Sequence, residues 1–256
     1  LLEWRRGAID LDYCIDLSAL QDLGAIQFEE WGVRIGALAT VASIYAHRQL
    51  DDGFAILREV AGQFATPQIR NTATIGGNLC HAVPSADFAI PLLALDAEVK
   101  LRGLEGERTM LVEAFFVDVK RTALSGDEML LEIHIPKPPP RTACAFERVT
   151  RSSVDIALVN AAVRITTNAV DAVQEARVVL GAVAPVPFRA KRAEEVLVGK
   201  GISELDQELQ AQVAQLAAAE TCPITDVRTN AAYRKYVSQV LVRRTLSSVL
   251  DKLRGG

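Results

Sequence analysis

Residues 66–87 read Thr66-Pro67-Gln68-Ile69-Arg70-Asn71-Thr72-Ala73-Thr74-Ile75-Gly76-Gly77-Asn78-Leu79-Cys80-His81-Ala82-Val83-Pro84-Ser85-Ala86-Asp87. Three chemical properties lie close together in them. Gly76-Gly77 lets the backbone approach a ligand with no Cβ in the way and permits positive φ. Thr72, Thr74, Asn78 and Ser85 supply uncharged side-chain donors. Ser85 or Asp87 is placed to cap a following short helix and leave amide N–H groups for an anion. Neutral donors beside glycine backbone suit a diphosphate that is held and not hydrolysed. There is no Gly-Lys-Ser/Thr, so this is no P-loop, and the spaced glycines of a Rossmann turn are absent. On residue types alone the stretch fits equally well a glycine-rich turn joining two elements.

Upstream, Val33 to Ala39 reads as a short strand closing on glycine and alanine, and Thr40 as the N-cap of a helix over 41–47. Phe54, Leu57, Val60, Ala61 and Phe64 recur at three and four residues and predict an amphipathic helix over 52–65. Thr66-Pro67 ends it. Downstream, 71–85 reads as a loop, 87–95 as a short buried helix, and Glu98–Leu101 and Met129–Ile135 as strands. Asp10, Asp12 and Asp16 alternate with Leu11, Tyr13, Ile15 and Leu17, the wet face of a further strand. Lys137-Pro138-Pro139-Pro140-Arg141 reads as a stiff linker between two units, because three prolines continue neither helix nor central strand. Beyond it come strand-like runs at 142–149, 158–166 and 175–183, with a turn at Thr167-Asn168-Ala169. Helices are expected at Ala190–Leu197, Glu204–Ala219 and Ala231–Leu250, the last with a core-facing stripe of Tyr233, Tyr236, Val237, Val240 and Leu241. The expected architecture is an α+β first half followed by a small three-stranded antiparallel sheet with a helical layer.

Composition narrows the function. The chain has 256 residues, 50% of them apolar and 23% charged, enough for about two cored domains. A net charge of −4 argues against nucleic acid or an anionic membrane as main partner. No apolar run is long enough for a membrane span, and no signal-peptide pattern opens the chain; an acidic chain of this size with four scattered thiols reads as cytoplasmic. Cys14, Cys80, Cys144 and Cys222 lie too far apart in sequence for a zinc or iron–sulfur spacing. No histidine accompanies a serine or cysteine in a nucleophile motif, which argues against a hydrolase. His134 reads as structural, His47 as a helix-end residue, and Glu194-Glu195 and Arg243-Arg244 as solvated or at a subunit contact. The opening Leu1-Leu2-Glu3-Trp4, without methionine, reads as the interior of a longer chain.

Gln68-Ile-Arg-Asn-x-x-Thr-Ile-Gly-Gly-Asn-Leu, followed by Pro84-Ser-Ala-Asp87 and Leu-Leu-Ala-Leu-Asp-Ala-Glu-Val, resembles the FAD-binding (medium) subunit of molybdenum hydroxylases of the xanthine dehydrogenase, carbon monoxide dehydrogenase and aldehyde oxidase type. The similarity extends to Val33–Thr40, to Phe146-Glu-Arg-Val-Thr-Arg-Ser-Ser-Val-Asp-Ile-Ala-Leu-Val-Asn160, to Leu180–Arg189 and to Leu241–Arg244. It implies a p-cresol methylhydroxylase-like FAD-binding domain over 1–137 and a carbon monoxide dehydrogenase flavoprotein-like C-terminal domain over 141–256. It also implies a further loop, roughly Ala-Gly-Gly-Thr-Asp, upstream of Leu1.

The resemblance implies an oxidoreductase subunit that carries noncovalent FAD. Ile35, Gly36 and Ala37 would form the strand and turn of the cofactor site. Thr74, Ile75, Gly76, Gly77 and Asn78 would contact the diphosphate and ribityl chain, continued by Ser85 and Asp87, with Asp155 and Ile156 reaching the flavin from the second domain. No catalytic acid–base residue and no metal ligand is expected in this chain. The partners implied are a molybdopterin-binding large subunit, a [2Fe-2S] small subunit and an electron acceptor: NAD, oxygen or a quinone. Two other functions remain in view, a self-contained FAD oxidase or dehydrogenase and an assembly subunit that has lost FAD.

Overall fold

A computed structural model describes residues 2–7, 9–51 and 53–255. Ten helices lie among them: α1 (Leu2–Arg5), α2 (Val41–Ala46), α3 (Ala55–Gln63), α4 (Pro67–Arg70), α5 (Ile75–Cys80), α6 (Ala89–Ala94), α7 (Val112–Phe115), α8 (Lys191–Leu197), α9 (Gln207–Ala219) and α10 (Ala231–Gly255). The strands are β1 (Ile26–Glu29), β2 (Gly32–Gly36), β3 (Glu98–Gly103), β4 (Gly106–Leu111), β5 (Phe116–Asp118), β6 (Arg121–Thr122), β7 (Met129–Pro136), β8 (Thr142–Val149), β9 (Val159–Thr167), β10 (Val173–Gly181) and β11 (Phe188–Arg189). The fold is mixed α and β with antiparallel sheets.

The first sheet runs β1-β2-β7-β3-β4. Its centre aligns Ile35 with Ile133 and Val33 with Ile135, all completely buried. Helix α6 packs between this half and the second sheet, which explains why its six residues, Ala-Ile-Pro-Leu-Leu-Ala, carry no polar face and are all buried. The second sheet runs β11-β10-β9-β8. Strand β9 is covered by α10 on one side and α6 on the other, so every one of its residues is buried.

Several expectations are corrected. The second sheet has four strands, not three: Phe188 and Arg189 pair with Leu180 and Val179. Two residues behind Pro185 and Pro187 are too few to show a period. The stretch 71–85 is not all loop, because α5 lies inside it. Gly-Gly is a poor helix former, and tertiary contacts impose that turn. Residues 9–17 pair with no strand, so the three aspartates lie on an irregular segment, where Asp16 accepts from the Ser18 amide. In α10 Val237 and Leu241 are buried, but Tyr233 and Tyr236 remain exposed. Glu194 is buried and not solvated, accepting from the Val178 amide and from Arg189. No helix among the described residues is long and apolar enough to cross a membrane.

Candidate functional site

The segment 66–87 forms one wall of a cleft. Thr66 caps α4 with Pro67 in its first turn. Arg70 closes the end of α3 by donating to the carbonyls of Gly62 and Phe64 at 3.0 and 3.1 Å. Thr74 caps α5, its Oγ1 accepting from the Gly77 amide at 3.0 Å. The next two amides are also taken by the protein: Ile75 N–H donates to Ala39 O and Gly76 N–H to Ala37 O, at 3.0 and 2.9 Å. The start of α5 therefore keeps no free first-turn amide for an anion. Nor do Ser85 and Asp87 cap α6, whose N-cap position is Phe88 with no side-chain cap. What the wall offers a ligand is side-chain donors and room.

The two glycines divide the work. A Cβ on Gly76 would stand 2.6 Å from Ala37 O and 2.7 Å from Ala37 Cβ, so this glycine is needed for the chain to pack. Gly36 has the same role, where a Cβ would meet Leu23 O at 2.1 Å. Gly77 is exposed, and a Cβ there would meet only the Thr74 hydroxyl, at 2.9 Å. Beyond that hydroxyl no other atom stands within 4 Å of the position. Ile35 and Ile75 are completely buried core residues, and Ala37 packs beside them.

Asn78, Ser85, Asp87 and Ile156 line one cleft of about 450 Å³, within the range of small-molecule sites. Phe64, Val83 and Pro84 give its near wall apolar surface, and Ala157, Ala182 and Pro185 do the same opposite. Asn78 Oδ1 accepts from the Phe88 amide at 3.2 Å, which leaves its NH₂ group as the remaining donor. Asp155 is outside this lining and pairs with Arg151 at 3.3 Å.

Charge is concentrated in two places. Asp87 is buried, and its two oxygens accept from Arg148 Nη1 and Asn160 Nδ2, each at 2.9 Å. Burial pushes its pKa up, opposed by the Arg148 charge and both hydrogen bonds. On the far wall Arg234, 2% exposed, donates from Nη1 to Leu158 O and Ala182 O at 2.6 and 3.1 Å, and from Nη2 to Asp226 at 3.0 Å. Its Nε has no partner. Burial alone would raise Asp226, but hydrogen bonds from the Arg228 side chain, the Arg228 and Thr229 amides and Arg234 hold it well below the usual carboxylate range. Cys80 keeps exposed surface as a residue, yet protein packed around its thiol pushes the pKa up to about 11, so it stays protonated at neutral pH.

Comparison with known proteins identifies the family of the chain. Residues 1–138 match the family described as the FAD binding domain in molybdopterin dehydrogenase, and residues 144–249 the CO dehydrogenase flavoprotein C-terminal domain. The chain belongs to the FAD-binding subunits of the molybdenum hydroxylases. It is similar to the carbon monoxide dehydrogenase medium chain of Afipia carboxidovorans, 34% identical over 235 residues that cover 92% of this chain and 80% of that one. The 6-hydroxypseudooxynicotine dehydrogenase complex subunit alpha of Paenarthrobacter nicotinovorans is 30% identical over 240 residues, 94% of this chain and 80% of that one. In structure it resembles a carbon monoxide dehydrogenase from Hydrogenophaga pseudoflava that lacks the Mo-pyranopterin moiety of the molybdenum cofactor, with a TM-score of 0.87 and 31% identity over 92% of this chain and 80% of that one. This FAD subunit is thus an oxidoreductase component.

The residues present fit FAD. The open space at Gly77 admits a ligand backbone, and the cleft combines apolar walls with polar groups at both ends. Sequence reasoning did not single out Arg148, Asn160, Asp226, Arg228 or Arg234. One signal was available for Asn160: a polar residue inside the otherwise apolar Leu158–Val163 run implies a buried, partnered group.

Proposed function

We propose that this chain holds FAD noncovalently in the cleft between the 66–87 wall and the second sheet and serves as the electron-transfer subunit of a molybdenum hydroxylase. FAD, when bound, supplies an isoalloxazine that accepts electrons singly and delivers them as a pair. The electrons come from a [2Fe-2S] small subunit fed by a molybdopterin-binding large subunit and leave to NAD, oxygen or a quinone, in an assembly working in the cytoplasm. The FAD-binding domain is 1–137, with a p-cresol methylhydroxylase-like fold, and the C-terminal domain is 141–256.

The chain's own residues bind and orient. Gly77 gives room for the diphosphate and ribityl chain, and the hydroxyls of Thr74 and Ser85 and the amide of Asn78 donate to it. Ile35, Gly36, Ala37, Ile75 and Gly76 shape the turn behind that contact. Asp87 accepts from a ribityl or ribose hydroxyl, since a carboxylate oxygen bonded to one donor keeps acceptor capacity. Ile156 packs on the ring system from the second domain, and Asp155 supports that loop. A chain that binds and orients needs no acid–base residue of its own.

The observation that carries this reading is that Asn78, Ser85, Asp87 and Ile156, from two distant parts of the sequence, line one cleft. The native complex isolated through this chain is expected to show flavin absorption and to contain molybdenum and iron. Gly77→Val, which adds a branched Cβ in the open space, is expected to lose FAD while the fold persists. A complex without flavin, or unchanged flavin content in Gly77→Val, would overturn the reading. Turnover of substrate by the isolated chain would replace it with a self-contained oxidase.

A further inference from the structure

We propose that Arg148 is a positioning residue for the bound flavin, one guanidinium that sets three separate segments of the cleft in a single geometry. The proposal rests on the reading that FAD occupies this cleft. Arg148 projects from β8, and its side chain is only 6% exposed. Nη1 donates to Asp87 Oδ2 at 2.9 Å, and Nη2 donates to Ser153 O at 3.1 Å and to the Gln63 carbonyl. These acceptors sit at the end of the glycine loop, in the connection from β8 to β9, and at the end of α3. Each belongs to or adjoins a cleft segment: Phe64 follows Gln63, Asp87 lines the cleft itself, and Ile156 lies on the Ser153 loop. Asn160, from β9, closes the arrangement on the other Asp87 oxygen. Asp87 and Gln63 lie 61 and 85 positions from Arg148, so no local periodicity holds them in place. A planar fork with five donors serves three acceptors at once, which an ammonium on a flexible stem does not.

The clamp also carries a charge. Arg148 is the cation in hydrogen-bond contact with Asp87 among the described residues. The other titratable groups lining the cleft are His81 after α5, Cys222, Asp226 and Arg228 on the far segment, and Arg234 on α10. Without Arg148, an ionised Asp87 is a buried charge that has lost the cation hydrogen-bonded to it, a state that protonation relieves. An Arg148→Met cleft therefore keeps its geometry at low pH, where Asp87 is neutral. It loses that geometry as pH rises through the Asp87 pKa, already pushed up by burial.

The test is FAD binding to the deflavinated native complex, followed by flavin fluorescence from about pH 4, near the ordinary carboxylate value, up to about pH 9. Wild type is expected to bind with little dependence on pH. Arg148→Met is expected to bind at least about tenfold more weakly at the alkaline end, with the deficit shrinking toward the acid end. Adding Asp87→Asn to Arg148→Met replaces the unpaired carboxylate by a neutral amide and is expected to remove that dependence on pH. Arg148 acting only as packing predicts a deficit equal at every pH, and that result overturns the proposal. Should Arg148→Met not fold, Arg148→Lys decides: it keeps the charge, is expected to stay insensitive to pH and to bind several-fold more weakly, and wild-type affinity in it overturns the clamp. Failure of the wild-type complex to take up FAD overturns the flavin reading beneath it. Wild-type uptake with an unweakened Arg148→Met overturns the clamp alone.

Discussion

The two walls of the cleft are built by different physics. The 66–87 wall is held by backbone: hydroxyl caps at Thr66 and Thr74, and amides of Ile75 and Gly76 on the carbonyls of Ala39 and Ala37. The far wall is held by charge. Arg234 reaches from α10 to Leu158 O and Ala182 O, 76 and 52 positions away, and binds Asp226, which Arg228 also holds. A wall of backbone contacts responds first to volume, whereas a wall held by charge responds first to loss of a partner; protons reach both, through Asp87 on one side and Asp226 on the other.

The largest effect is expected at Arg234. Arg234→Met leaves two buried carbonyls and Asp226 short of donors, at a cost of about 3–5 kcal/mol. The thermal midpoint of the complex-bound chain should fall on the order of 10 °C. A fall no larger than that of Arg243→Met, on the exposed face of the same helix, would erase the distinction between the walls.

Gly76→Val comes next. Its Cβ meets backbone that has no space to yield, so about 1–3 kcal/mol is expected from overpacking. Gly77→Val, one residue on, should unfold at nearly the wild-type denaturant concentration. Equal destabilisation by the two would show that the open side of Gly77 is not set apart by the fold.

The smallest effect is in acid, and its sign differs between the walls. Asp226 has a folded-state pKa below its unfolded value, so its contribution is fully present above about pH 4 and is lost as pH falls through the folded value. Asp87 has a raised folded-state pKa, so the folded state gains from protonation as pH falls through that value. In thermal scans from about pH 3 to pH 7, Asp226→Asn should flatten the acid-side fall in stability. Asp87→Asn should instead remove a gain at higher pH. Parallel curves for the two variants would break the comparison.

Legibility in the sequence follows the same division. Helix α3, the Thr40 cap and strands β7 to β10 are readable because a few neighbouring residues set their period or cap. Helix α5 was missed since its sequence, Ile-Gly-Gly-Asn-Leu-Cys, argues against a helix until Ala37 and Ala39 accept its first amides. Strand β11 was missed because two residues cannot show alternation. Glu194 looked solvated beside Glu195, but β10 and Arg189 cover only the first of the pair.

At the cleft, the sequence by itself determined the chemistry of the near wall: glycine backbone, neutral donors and an acidic residue at the end, in an order that marks the family. Only the tertiary structure decided that Gly76 packs while Gly77 stays open, that the α5 amides are already taken, and that Asp87 faces Arg148 and Asn160. Composition and spacing act over a few residues, whereas a buried carboxylate is settled by whichever cation the fold brings within hydrogen-bond reach, here from 61 positions away.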